Sequence, residues 1–177
     1  MIRLFAALHV PEDIGEPLLR RQQGIPGARW RPLEALHITL RFFGEVREDV
    51  ADDLDAELST ITAAPFDVAL EGAGSFGEGE DLHAVWAGLA ESAALRTLAG
   101  RCESAARRAG LKAEHRAYRP HVTLAYLRRP DPARVAAWVQ AHNLLKSPPW
   151  RAASFGLYSS TLGTEGSVYR MEREYWL

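Results

Sequence analysis

The sequence predicts an α+β fold. Predicted strands and helices alternate only loosely, the last two strands form a hairpin around Gly163 and Gly166, and no glycine-rich strand-to-helix loop of the nucleotide-binding type is present. Residues 2–9 read as a first strand, short, apolar and closed by Pro11. Residues 12–23 read as a helix with Leu18 and Leu19 on one face, ended near Gly24 and Pro26. Strands are expected at 28–31 and 36–43, with Gly44 ending the second. Over 47–62, Val50, Leu54, Leu58 and Ile61 recur at spacings of three and four, which is the spacing of one helix face.

The later elements follow the same rules. Strands are expected at 66–70 and 82–89, and the glycine-rich acidic stretch from Gly72 to Asp81 reads as an exposed turn between them. An Ala-rich helix spans 93–109 and ends at Gly110. Residues 121–127 read as a strand and 131–142 as a helix with Pro132 in its first turn. Strands at 150–159 and 166–176 close the chain.

Composition narrows the function. At 177 residues, 47% hydrophobic and 25% charged, the chain has the make-up of one globular domain rather than of a disordered protein. The formal net charge of −2 argues against binding along a long nucleic-acid backbone, which takes an excess of Lys and Arg. Any RNA bound is expected to be a short stretch or an end. Cys102 is the one cysteine, so an intrachain disulfide and a thiolate metal cluster are both excluded, and a cytoplasmic location is the expectation. The apolar start, met at once by Glu12 and Asp13, reads as a buried strand rather than a signal peptide. No apolar run approaches the length of a membrane span, so no membrane contact is expected.

The chemistry lies in an internal echo. Leu36-His37-Ile38-Thr39-Leu40-Arg41-Phe42-Phe43 and Pro120-His121-Val122-Thr123-Leu124-Ala125-Tyr126-Leu127 each carry His, a β-branched residue, Thr and Leu, with an aromatic residue two positions on. Alternate side chains of a strand share a face, so Ile38, Leu40, Val122 and Leu124 should enter a core. His37 with Thr39, and His121 with Thr123, should point the other way. Two such strands side by side would bring two imidazoles and two hydroxyls to one cleft. Histidine exchanges a proton near neutral pH. Hydrolysis of a phosphodiester needs a base for water and an acid for the departing oxygen. Hydroxyl donors can stabilise charge on non-bridging phosphate oxygens.

At these residues the chain resembles the 2H phosphoesterase superfamily, defined by two His-x-Thr-x motifs, and within it the RNA 2′,3′-cyclic phosphodiesterases, long described as 2′-5′ RNA ligases. The likeness takes in Arg3-Leu4-Phe5-Ala6-Ala7-Leu8, Trp30 through Val46, Arg119 through Leu124, and the closing stretch from Ser159 to Tyr169. The resemblance implies one domain over residues 1–177, made of two intertwined lobes about a pseudo-twofold axis, with two antiparallel sheets flanking a central cleft and helices outside. It implies hydrolysis of a terminal 2′,3′-cyclic phosphate to a 2′-phosphate without metal or other cofactor. His37 would donate the proton to the leaving 3′-oxygen, His121 would activate water, and Thr39 and Thr123 would bind phosphate. The partners would be RNA 3′ ends bearing a cyclic phosphate, or small cyclic nucleotides, met by a monomer.

Phe42 matches the aromatic residue that many members place five positions after the first His. At the equivalent position after the second His, where members often carry Arg, this chain has Tyr126. Arg128 or Arg129 is a candidate for the displaced cation, and Tyr126 a candidate to donate a hydrogen bond or stack on a base. Phe5 is a further stacking candidate, with core packing the alternative, and His115 and Arg116, just before the second motif, are candidates to reach an incoming phosphate, with a solvated loop the alternative. His83 is read as structural. A zinc site from His37, His83, His115 and His121 lacks the usual ligand spacing. The five tryptophans, Trp30, Trp86, Trp138, Trp150 and Trp176, are expected in the core or between lobes. Three other readings stay open: RNA joining by the reverse reaction, non-catalytic binding of RNA ends, and hydrolysis of a small cyclic nucleotide or of ADP-ribose cyclic phosphate.

Overall fold

A computed structural model describes every residue, Met1–Leu177. The elements run β1 (Ile2–His9), α1 (Glu12–Leu19), β2 (Arg29–Trp30), β3 (His37–Val46), α2 (Glu48–Ser59), β4 (Phe66–Val68), β5 (Leu70–Phe76), β6 (Ala84–Leu89), α3 (Ala93–Arg108), β7 (His121–Tyr126), α4 (Pro132–His142), β8 (Trp150–Ala152), β9 (Ser154–Gly163) and β10 (Gly166–Trp176). The fold is α+β, as the element pattern predicts, with four helices and two antiparallel sheets. The large sheet has the order β10-β9-β1-β3-β7-β6-β5, with β2 also paired to β7, and the small sheet is β4-β8.

The large sheet nearly divides in its middle. β3 and β7 meet at one pair only, Ile38 opposite Val122, whereas the neighbouring pairs β1–β3 and β6–β7 run for most of their length. The two echoed strands therefore diverge from a single contact. A hydrophobic core of 39 buried residues continues across this junction, through Ile38, Leu40, Val122 and Leu124. At roughly 25 cal/mol per Å² of apolar surface, each such fully buried aliphatic side chain stabilises the fold by about 1.5–3 kcal/mol.

Local chemistry explains the helix ends. The Ser92 side chain accepts a hydrogen bond from the Leu95 amide at 3.1 Å and starts α3, which closes before Gly110 at φ +84. Asp131 caps α4 through the Ala133 amide at 2.9 Å, with Pro132 just inside. The first helix is shorter than expected, ending at Leu19 with Pro17 inside it. Leu18 is buried while Leu19 is exposed, because consecutive helical residues point about 100° apart.

Two expectations about glycine are corrected. Gly44 does not end β3. It sits at φ +79 beside a register slip, in which Leu4 faces Gly44 and Phe5 faces Phe42, leaving Phe43 as an extra residue. A second slip leaves Leu40 unpaired between Ala6–Arg41 and Ala7–Thr39. Such bulges bend a strand and turn its side chains, here immediately after His37 and Thr39. The stretch from Gly72 to Asp81 is not a turn throughout, since β5 runs to Phe76 and only the remainder turns. A Cβ on Gly74 would lie 2.4 Å from the Trp86 ring of the paired strand. That glycine marks a close approach between strands rather than a break.

Of the tryptophans, Trp138 is buried and donates its indole N–H to the Arg21 carbonyl at 2.9 Å, while Trp30, Trp86 and Trp150 are half-buried. Trp176 departs from expectation: it ends the outermost strand and is 70% exposed.

Candidate active site

Period-two alternation holds on both motif strands. Ile38, Leu40, Val122 and Leu124 are at most 3% exposed, whereas His37, Thr39, His121 and Thr123 are half-buried on the opposite face. Extending the Ile38–Val122 register by one residue each way sets His37 towards Thr123 and Thr39 towards His121. The four polar side chains thus ring the point where β3 and β7 part.

Backbone carbonyls fix both imidazole tautomers. His37 Nδ1–H donates to the Ala35 carbonyl at 2.8 Å, and His121 Nδ1–H donates to the Arg119 carbonyl at 2.6 Å. A carbonyl only accepts, so each Nδ1 carries its proton and each Nε2 is left for the cleft. Thr39 Oγ1 lies 3.1 Å from His37 Nε2. The Tyr118 hydroxyl donates to the Thr39 carbonyl at 2.9 Å and ties β3 to the segment leading into His121. Glu103 of α3 reinforces that tie by pairing with Arg41 and accepting the Glu114 amide at 3.0 Å.

Each imidazole also has an aromatic wall. The Phe5 ring lies 4.9 Å from His37 and the Tyr169 ring 5.1 Å, edge-on. Phe76 stands 4.7 Å from His121, edge-on, and Trp86 lies 6.3 Å away. Burial favours the neutral ring, so the His37 pKa is lowered from 6.5 to about 4, with the Ala35 carbonyl opposing and the charges of Arg31, His121 and His9 adding to the fall. His121 is lowered for the same first reason, with the Arg119 carbonyl opposing.

Two cavities open from this centre. One of about 610 Å³ takes in His121, Phe76, His83, Tyr118 and Arg119. One of about 420 Å³ takes in His37, Phe5, Tyr126 and Tyr169 with Arg3, Arg29 and Arg31. Thr39 and Phe42 line both and form the ridge between them, whereas Thr123 lines neither. Phe42 is 39% exposed and Tyr126 40%, so both offer ring surface to a ligand. Phe5 is 3% exposed and stacks on Tyr158, so it supports His37 instead of offering a free face.

Arg128 and Arg129 are exposed beyond the end of β7 and line neither cavity, and Arg129 at φ +47 marks the chain turning away. Arg31, from the end of β2, places its guanidinium 5.5 Å from the Tyr126 ring. Arg116 borders the larger cavity, but it is exposed and paired with Glu114 at 2.8 Å, while His115 borders neither. His83 is exposed, stacks on Phe76 and lines the larger cavity, so it belongs to the site's rim rather than to the core. Neither Arg31 nor Tyr169 stands out in the sequence as a site residue. Arg31 comes from just after β2, shortly before the first motif, and Tyr169 from β10, far from both motifs. No group of three or more His, Cys, Asp or Glu side chains is arranged to hold a metal ion. No helix is long and apolar enough to cross a membrane.

Two echoed strands, each carrying a tautomer-fixed imidazole and a threonine beside the one pair that joins β3 to β7, fit a phosphoesterase site, and the chain belongs to the 2′-5′ RNA ligase superfamily, whose profile matches residues 10–164. Among individual relatives, a protein of Archaeoglobus fulgidus named RNA 2′,3′-cyclic phosphodiesterase is 30% identical over 172 residues, covering 96% of this chain and 97% of its own. A protein of the same name from Escherichia coli K12 is 32% identical over 126 residues, covering 69% of this chain and 70% of its own. The crystal structure of E. coli LigT complexed with 3′-AMP superposes with a TM-score of 0.80 at 27% identity, covering 99% of this chain and 98% of that one. A crystal structure of a Thermus thermophilus protein gives 0.81 at 25% identity with the same coverage.

Proposed function

We propose that this protein hydrolyses 2′,3′-cyclic phosphate ends of RNA to 2′-phosphates, with His37 as the proton donor and His121 as the proton acceptor. The observation that carries the reading is that Nδ1 bonds to Ala35 and Arg119 leave neither Nε2 tied to the backbone, in two cavities that meet at Thr39 and Phe42. His121 Nε2 takes a proton from water as the water oxygen attacks phosphorus. The P–O3′ bond breaks, and the departing O3′ takes a proton from His37 Nε2. The product carries a 2′-phosphate and a free 3′-hydroxyl. Thr39 and Thr123 donate hydrogen bonds to the non-bridging oxygens as charge builds there.

A His37 pKa near 4 leaves the free ring neutral at pH 7. An arriving phosphate anion raises that pKa, so protonation of the acid is coupled to substrate binding. Charge elsewhere fits the reading: the His37 cavity holds three arginines and no carboxylate, although the whole chain is net negative. The protein is read as a single-domain, cytoplasmic monomer that meets RNA ends and not a membrane.

The superfamily description also favours RNA joining, the reversal of 2′-5′ linkage cleavage. A 5′-hydroxyl in place of water would break the same P–O3′ bond and leave a 2′-5′ linkage. Incubation in EDTA with 2′,3′-cyclic mononucleotides, a cyclic-phosphate oligomer and ADP-ribose cyclic phosphate decides between these readings. Release of 2′-phosphate is expected, and a 5′-hydroxyl RNA added to the oligomer reports joining. A wild-type protein that retains the oligomer unchanged would be a binding module instead.

A further inference from the structure

Arg31 is one of two buried polar residues in the protein, at 6% exposure, and no carboxylate pairs with it. Its guanidinium makes one hydrogen bond, from Nη2 to the Ser167 carbonyl at 3.2 Å. Two phenol rings flank it, Tyr126 at 5.5 Å and Tyr169 at 5.3 Å. Its backbone is equally constrained, with the Arg31 amide donating to the Leu124 carbonyl and the Arg31 carbonyl accepting from Gln22, each at 2.8 Å. A buried cation without a counter-charge is costly, and a lone contact to a carbonyl would be served as well by a neutral donor. The remaining N–H groups belong to a residue that lines the His37–Thr39 cavity, which contains no acid.

We propose that Arg31 is the cation that binds the non-bridging oxygens of the reacting phosphate, its planar fork held in place by the Tyr126–Tyr169 clamp. The proposal rests on the reading above that this cavity receives a cyclic phosphate. It also gives Tyr126 a role. β2 pairs with β7 so that Arg29 lies opposite Tyr126 and Trp30 opposite Ala125. Arg31 follows Trp30 at the end of β2, and its guanidinium lies over the Tyr126 ring of the paired strand. The Tyr126 ring thus holds a cation from the neighbouring strand by a cation–π contact. A guanidinium suits this place better than an ammonium because it meets two phosphate oxygens at once.

The test compares wild type with R31Q, R31K and R31Q/Y126R, all in EDTA. Binding of inorganic phosphate is followed by calorimetry, and turnover with a 2′,3′-cyclic mononucleotide. R31Q is expected to weaken phosphate binding at least about tenfold and to lower kcat/KM about 100-fold. R31K should fall between, and Y126R should restore at least about tenfold of the loss, which a purely packing role for Arg31 would not allow. The limb of the pH profile that reports His37 should also move up in R31Q, since the Arg31 charge depresses His37. Phosphate binding in folded R31Q within twofold of wild type overturns the proposal, as does a folded R31Q/Y126R with no recovery. If R31Q does not fold, R31K decides, with at least about a fivefold loss of kcat/KM expected and an unchanged value overturning the proposal. A wild type that binds phosphate through Arg31 but turns over no cyclic phosphate would leave the anion site standing and remove the hydrolase reading.

Discussion

Acidification should destabilise the protein through His37, by an amount the structure allows to be worked out. The ring is walled by Phe5 and Tyr169, and burial lowers its pKa from 6.5 to about 4. Between those values the unfolded chain takes up a proton at this position and the folded chain does not. Stability therefore rises with pH across this window, and is lost as pH falls from 6.5 towards 4. At about 1.36 kcal/mol per pH unit, the gap amounts to roughly 3 kcal/mol. A domain of this size loses about 2–4 °C of Tm per kcal/mol, so roughly 6–12 °C is at stake. The assay is thermal unfolding from pH 7.5 to 4 for wild type and His37→Gln. Other groups that titrate in acid, Glu114 and Asp55 among them, act alike in both proteins and cancel in the difference. The His37→Gln curve should be flatter by the stated amount. Parallel curves across the whole range would refute the argument, because they would mean the folded imidazole titrates like a free one.

Four further outcomes are expected. His37→Ala and His121→Ala should each lower kcat with a cyclic mononucleotide by at least about 100-fold, in EDTA as in buffer, and full activity in either single variant would reject the acid–base pair. Thr39→Val and Thr123→Val should each cost about 10–100-fold, the worth of one hydrogen bond to a charged group, in kcat rather than in KM. Gly74→Ala should lower stability by about 1–3 kcal/mol in urea titrations, since its Cβ would meet the Trp86 ring at 2.4 Å. Cys102 is fully buried, which pushes its thiol up to about 12, so the native protein should resist thiol reagents until denaturant is added.

How much of this was legible beforehand differs from residue to residue. The inward Ile38 and Leu40 and the outward His37 and Thr39 follow from period-two alternation alone, and the same holds for Val122, Leu124, His121 and Thr123. The start of α4 at Pro132, capped by Asp131, and the end of α3 before Gly110 depend on neighbouring residues only, and both were readable. Glycine was less informative. Gly72 and Gly74 look like turn residues in sequence, and only the Trp86 ring across the sheet explains Gly74 within a strand.

The amino-acid order by itself thus determined the two faces of each motif strand and the chemistry placed on them, because those properties extend over a few adjacent residues. The tertiary structure decided that β3 and β7 touch at Ile38 and Val122 and then part, and that Tyr169 of β10 joins His37 and Arg31 in one cavity. Those facts depend on strand register and on bulges at Leu40 and Phe43, which are settled by packing between residues far apart in the chain.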